Sequence, residues 1–231
     1  MLSQIQLMIW GSKGQKIIYE RTDMKISEGI KLKGRPAEII DSSRDDLPEF
    51  FKERGFKVGV EVGVFQGDYT EILAKGGFKV YGVDPWLIYN DYGKTNGQGW
   101  YNRLYARALR KIKPYSNVEL LKMTSMEAVQ KFEDESLDFV YIDGNHRFKY
   151  VAEDIFEWSK KIKQGGVLCG HDYAFFKHRY FAGGCQVHEI VDAFALSFEL
   201  DFWVLGRRKP IPGEKRDRMR SWMFIKNWEN Y

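Results

Sequence analysis

The sequence predicts an α/β protein: a Rossmann-like sheet of seven strands, mostly parallel with an antiparallel edge strand, and helices on both faces. Three observations predict it. From residue 57 onward, short apolar runs alternate with segments of helical periodicity. Glycine or polar residues stand directly behind five of those runs: Gly63, Asp84, Thr124, Asp143 and Asp172. The last two apolar runs have no helical segment between them, so they pair antiparallel.

Residues 1–37 stand apart. LMIW, GSKG and QKIIYE read as a hairpin around a glycine-rich turn, an extension suited to covering the cleft or to self-association. Residues 38–231 form the main domain. There DSSRDD caps a helix running through LPEFFKERG. KVGVEVG is the first buried strand, and DYTEILAKG a helix that ends in glycines. FKVYGVD is the second strand. An aromatic-rich stretch, PWLIYNDYGKTNGQGW, has the glycines of a hinged lid. YNRLYARALRKI is a long basic helix, NVELLKM the third strand, SMEAVQKF a short helix and LDFVYID the fourth strand. In RFKYVAEDIFEWSKKIK the residues Phe148, Val151, Ile155, Trp158 and Ile162 fall on one stripe at spacings of three and four. GGVLCGHDY is the fifth strand and QVHEIVDAFALSF the last helix. FELDFWVLG and SWMFIKNW close the sheet, joined by a basic loop.

Composition narrows the function classes. At 231 residues and 44% hydrophobic content the chain has ample core for one domain with an extension. A net charge of +4 does not by itself call for nucleic acid. No run approaches the roughly 18 apolar residues of a membrane helix, and MLSQIQLMIW lacks the basic start of a secretory signal. Cys169 and Cys185 show no CxxC spacing. The expectation is a soluble protein of the reducing cytoplasm.

Ligands of such sheets sit at the carboxyl ends of the strands, near the switch in strand order. That rule gathers Gly63, Asp84, Thr124, Asp143 and Asp172 around one cleft. A dinucleotide fingerprint needs glycine at 63, 65 and 68, but Phe65 and Asp68 occupy the last two positions. The loop Glu61–Gly67 therefore suits a cofactor without a pyrophosphate, which disfavours a nicotinamide dehydrogenase. Asp84 can accept hydrogen bonds from the two hydroxyls of a ribose. Gly63 and Gly67 are also consistent with nothing more than a tight strand–helix turn. On the other side of the cleft, Asp143 and Asp172 repel unless a cation or proton lies between them. Oxygen ligands of this kind suit Mg²⁺. His146 is a candidate general base, or else a helix cap or substrate contact. His171 and Asp172 read either as part of a metal site or as a hydrogen-bonded pair at a strand end. His178 and His188 look like ordinary surface or helix residues.

EVGVFQGDYT, YGVDPW and LDFVYIDGNHRFKYVAEDIFEWSKKIKQGGVLCGHDY together resemble the class I S-adenosylmethionine-dependent methyltransferases. The similarity is greatest to the subgroup of macrocin-type sugar O-methyltransferases and covers roughly residues 38–231. Its specific part is the IDG-x-H … GGV-x-x-GHDY combination; the glycine loop alone is weak. The resemblance implies that Glu61, Gly63, Phe65 and Gly67 wrap the methionine part of the cofactor. It implies that Asp84 holds the ribose and that Thr124, Ser125 and Met126 lie by the adenine. Asp143 then borders the cofactor and ligates a metal with Asp172, while His146 is the base. Several relatives carry an acidic residue where this chain has His171, which puts the metal in question.

Two basic elements bear on the acceptor. Arg103, Arg107 and Arg110 share one helix face. The loop RRKPIPGEKRDRMR, residues 207–220, carries seven basic and two acidic residues, a local charge of +5. They point to an anionic small-molecule or glycan acceptor, such as a phosphorylated or nucleotide-linked sugar, or to a plain solvated surface. The alternative is a nucleic-acid-binding protein or methyltransferase that tracks phosphates with these elements.

Overall fold

The computed structural model describes residues 5–10, 16–21, 24–88, 96–174, 184–206 and 219–230. Ile5–Trp10 (β1) and Lys16–Arg21 (β2) pair antiparallel as a sheet of their own. Ile26–Gly29 (α1) and the short strand Ala37–Ile39 (β3) follow. Ser43 then caps a 3₁₀ turn, Arg44–Asp46, through a reciprocal bond with Asp46, and the turn runs into Leu47–Glu53 (α2). The main alternation comes next: Val58–Val62 (β4), Asp68–Lys75 (α3), Lys79–Val83 (β5), Gln98–Ile112 (α4) and Val118–Leu121 (β6). It continues with Ser125–Ala128 (α5), Leu137–Ile142 (β7), Phe148–Lys161 (α6), Ile162–Gly170 (β8) and Val187–Ser197 (α7). Trp203–Leu205 (β9) and Ser221–Ile225 (β10) are the final strands.

The strand order is β3-β9-β10-β8-β7-β4-β5-β6. The class is the one the sequence predicts, with eight strands in place of seven. The extra strand is β3, three residues long and parallel to β9, too short to leave a periodic trace. It begins at Ala37, one residue ahead of the expected boundary at 38, and Ile26 is buried in the same cluster as Phe50 and Phe51. The antiparallel strand β10 does not lie at an edge. It is inserted between β8 and β9, antiparallel to both, which suits its nearly continuous burial.

Every residue of β7 is buried, as expected of a strand covered on both faces. On one face Ile155 and Trp158 of α6 and Phe194 of α7 pack against Val140 and Leu168. On the other, Phe51 stacks on Phe139 with ring centroids 4.4 Å apart. The expected α6 stripe holds for Val151, Ile155, Trp158 and Ile162 but not for Phe148, which is 60% exposed. Phe148 opens the helix, where its N–H is held by Gln186 Oε1 at 2.6 Å.

Strand order reverses at β4, with β5 and β6 to one side and β7 and β8 to the other. The crevice beyond the β4, β5 and β7 tips is therefore the ligand position. These tips are stitched together: Gly63 N–H donates to Val83 O at 2.8 Å, and Asp143 N–H to Val62 O at 2.7 Å. Gly63 has φ +94°, and a Cβ there would lie 2.0 Å from the Asp143 carbonyl oxygen. Only glycine permits this approach.

Candidate active site

A cavity of about 470 Å³ opens at the tips of β4, β5 and β7, within the range of small-molecule sites. Its walls include Gly63, Phe65, Asp84, Thr124, Ser125, Met126 and Asp143, seven of the residues singled out in the sequence. Apolar surface comes from Val83, Trp86 and Leu104. Asp84 organises one end. Its carboxylate accepts the Phe65 N–H at 2.9 Å and the Trp86 N–H at 2.7 Å. Both residues have positive φ, +54° and +46°. The Trp86 indole N–H donates to Phe65 O at 2.8 Å, closing the knot. Backbone strain of about 1–3 kcal/mol per residue persists only where neighbours hold it, and here Asp84 does the holding. Burial pushes the Asp84 carboxyl up, against the backbone N–H groups that pull it down. A carboxylate has about four acceptor positions, so Asp84 retains capacity toward a ligand.

Two of the cofactor-binding candidates, Glu61 and Gly67, are not among the lining residues. Glu61 is buried, at 2% exposure, and accepts a hydrogen bond from the Thr70 hydroxyl. Burial pushes its carboxyl up to about 8, so at neutral pH it is mainly a neutral acid beneath the cleft. Gly67, at φ +84°, is the turn from which α3 departs. Thr124 lines the cavity and also caps α5, in a reciprocal bond with Glu127.

Beside the cavity is a charged cluster. His146 Nε2 lies 3.1 Å from Asp172 Oδ2 and 3.4 Å from Asp143 Oδ1. His171 Nδ1 lies 3.3 Å from Asp172 Oδ1. Asp172 follows β8 at φ +57°. Burial lowers the basicity of His146, but its hydrogen bond to Asp143 and the charges of Asp172 and Asp143 outweigh that, and its pKa is raised. Asp172 is lowered: burial opposes ionisation, and the hydrogen bond to His171 with the nearby positive charges overcomes it. Asp143 alone belongs to both the cluster and the cavity wall among the described residues.

Arg44 is the member that sequence reasoning missed. Its Nη1 lies 3.3 Å from Asp143 Oδ2, and its guanidinium stands over the Tyr69 ring. Tyr69 O–H donates to Arg44 O at 2.9 Å, fixing the turn. Ninety-nine residues separate Arg44 from Asp143, and its only local sequence signal was the cap that starts α2. Arg103, Arg107 and Arg110 lie on the exposed side of α4, with Arg107 Nη1 3.5 Å from Gln66 Oε1. His188 pairs with Asp192 at 3.2 Å on α7. His178, positions 207–218 of the basic loop, 89–95 of the lid segment and the hairpin turn at 11–15 lie outside the described residues.

Residues 60–173, from β4 to just beyond β8, match the family described as a methyltransferase domain. The fold is shared with the O-methyltransferase from Bacillus cereus in complex with SAH, at TM-score 0.58 and 15% identity, over 79% of this chain and 80% of that one. It is shared also with the O-methyltransferase TomG from Streptomyces achromogenes, involved in tomaymycin synthesis and in complex with SAM. There the TM-score is 0.57 at 12% identity, over 80% and 79% of the two chains. The chain is 25% identical to the uncharacterized protein y4gI of Sinorhizobium fredii over 126 residues, 54% of its own length. It spans 13% of that relative. No helix among the described residues is long and apolar enough to cross a membrane.

Proposed function

We propose that this protein is a methyltransferase that uses S-adenosylmethionine to methylate a hydroxyl oxygen of a small, sugar-containing acceptor. Residues 38–231 serve as the catalytic unit, working in the cytoplasm. The observation that carries the reading is the shared wall. Asp143 borders a cavity of nucleoside size on one side and a raised imidazole on the other. The cavity suits the cofactor: Asp84 for the ribose hydroxyls, Gly63 at the closest backbone approach, and apolar walls for the base. When bound, the cofactor supplies an electrophilic methyl group on sulfur.

The chain's own residues then orient the acceptor and take its proton. An acceptor hydroxyl that reaches His146 meets an imidazole whose raised basicity suits proton uptake, a contribution of about 10²–10⁴-fold. Asp143 and Asp172 hold the imidazole and stabilise its protonated form, and Arg44 offsets the charge of Asp143. Mg²⁺ suits this set less well than the sequence expectation had it. One oxygen each of Asp143 and Asp172 and one nitrogen of His146 lie within 4.8 Å of one another. The third donor is thus an imidazole, and Mg²⁺ prefers all-oxygen octahedra. No step of the mechanism is therefore routed through a metal. Arg44 makes the acceptor side receptive to an anionic group.

Calorimetric titration with S-adenosylmethionine and with NAD tests the cofactor, and methyl transfer to a panel of sugar and nucleotide-sugar hydroxyls tests the acceptor. Uptake of the first cofactor alone and O-methylated product are expected. Uptake of NAD, or methylation of RNA in place of the small acceptors, would refute the reading.

A further inference from the structure

We propose that Asp154 recognises the adenine of the cofactor as a neutral carboxylic acid, pairing with the base's N1 and N6 edge. The proposal rests on the S-adenosylmethionine reading and extends it to a residue outside the machinery described above. Asp154 sits in the second turn of α6, only 4% exposed, yet it lines the cavity. Among the described residues no cation pairs with it; the charge acting on it is Glu153, of its own sign. A buried carboxylate in that position is costly, so its presence calls for a ligand or a proton.

Its geometry is fixed by a relay. The Trp158 indole N–H donates to Ser125 Oγ at 2.8 Å, and the Ser125 hydroxyl hydrogen-bonds the Asp154 carboxyl. One oxygen, Oδ2, lies 3.7 Å from the point where a Gly144 side chain would begin, so it stays beside the strand tip. Burial pushes the group up to about 7, against the Ser125 bond that lowers it.

The cavity leaves one place for the base. Ribose takes Asp84 at the β5 tip, and the methyl must face Asp143 and His146 for transfer. What remains is the end bounded by Ser125 and Met126 of α5 and by Asp154. Adenine presents an N6 donor beside an N1 acceptor. A carboxylic acid presents an acceptor beside a donor, whereas a carboxylate presents acceptors only and sets its charge against N1. The other ionisable groups on these walls are Lys149, Tyr150 and Glu153 on α6, Tyr101 on α4, Asp143 after β7 and Asp84 after β5. Glu127 on α5 is engaged in capping Thr124.

The test is calorimetric affinity for S-adenosylhomocysteine on the full chain between pH 6 and 8.5, for wild type, D154N, D154L and H146Q. Asparagine keeps one donor and one acceptor without a titration. Wild-type Kd is expected to rise about 30-fold across the range if only the acid binds. D154N is expected to be flat and within about threefold of wild type at pH 6. D154L is expected to bind at least tenfold more weakly throughout, while H146Q keeps the wild-type slope. A pH-independent wild-type Kd, a slope that disappears in H146Q, or D154L binding like wild type would overturn the assignment while leaving the cofactor reading intact. No binding by any form would overturn both.

Discussion

Replacing Gly63 with alanine probes the join between the two halves of the site. The new Cβ would stand 2.0 Å from Asp143 O and 2.4 Å from Asp143 C, where real contacts stay beyond 3.0 Å. Something must therefore yield by about 1 Å, and both partners are backbone at strand tips. The positive φ adds about 1–3 kcal/mol of its own. Relief comes by separating the tips of β4 and β7, which breaks the 2.7 Å bond from Asp143 N–H to Val62 O, worth about 1 kcal/mol. The sum is a loss of about 2–4 kcal/mol in stability. A 1 Å displacement of Asp143 is further expected to lower turnover about 100-fold in the molecules that remain folded. Urea unfolding reads the first quantity; single-turnover methyl transfer at saturating cofactor reads the second. A G63A enzyme within 1 kcal/mol and twofold of wild type would show that the close approach does not organise the site.

Three further outcomes are expected. D172N removes a charge that raises His146, so the acid limb of the pH–rate profile moves to lower pH, with turnover reduced; an unmoved limb would assign it to another group. R44A frees Asp143 Oδ2 and is expected to cost about 1 kcal/mol in urea unfolding, with Kd for cofactor changed less than turnover. E61Q tests the buried acid. Its folded pKa of about 8 lies above the ordinary 4.5, so wild type loses stability as pH rises between these values, by about 3 kcal/mol at pH 7. E61Q is expected to flatten that slope, and an identical slope would place the ionisation elsewhere.

The helix and strand positions of the main domain were legible because each is strongly periodic and bounded by glycine, proline or caps. LDFVYI is apolar throughout because β7 is covered on both faces. The strand-tip rule likewise gathered Gly63, Asp84, Thr124 and Asp143 on one cavity. What stayed hidden depends on contacts between distant segments. Three residues, Ala37–Ile39, carry no period, so β3 was not visible as a strand. β9 and β10 are both apolar, and nothing local says which of them docks on β8. Arg44 reaches Asp143 across ninety-nine residues. Glu61 looked like a ligand contact by its place in the motif, but strand alternation turns it toward Thr70. Asp154 was hidden inside an amphipathic helix, where a single polar residue among Val151, Ile155 and Trp158 is easily passed over.

A crystal structure with S-adenosylhomocysteine bears most directly on the shared wall at Asp143. The expected complex has both ribose hydroxyls within about 3 Å of the Asp84 carboxylate and the sulfur turned toward Asp143 and His146. An adenosyl group bound elsewhere, or a sulfur facing away from that pair, would contradict the assignment of cofactor and chemistry to opposite sides of one residue.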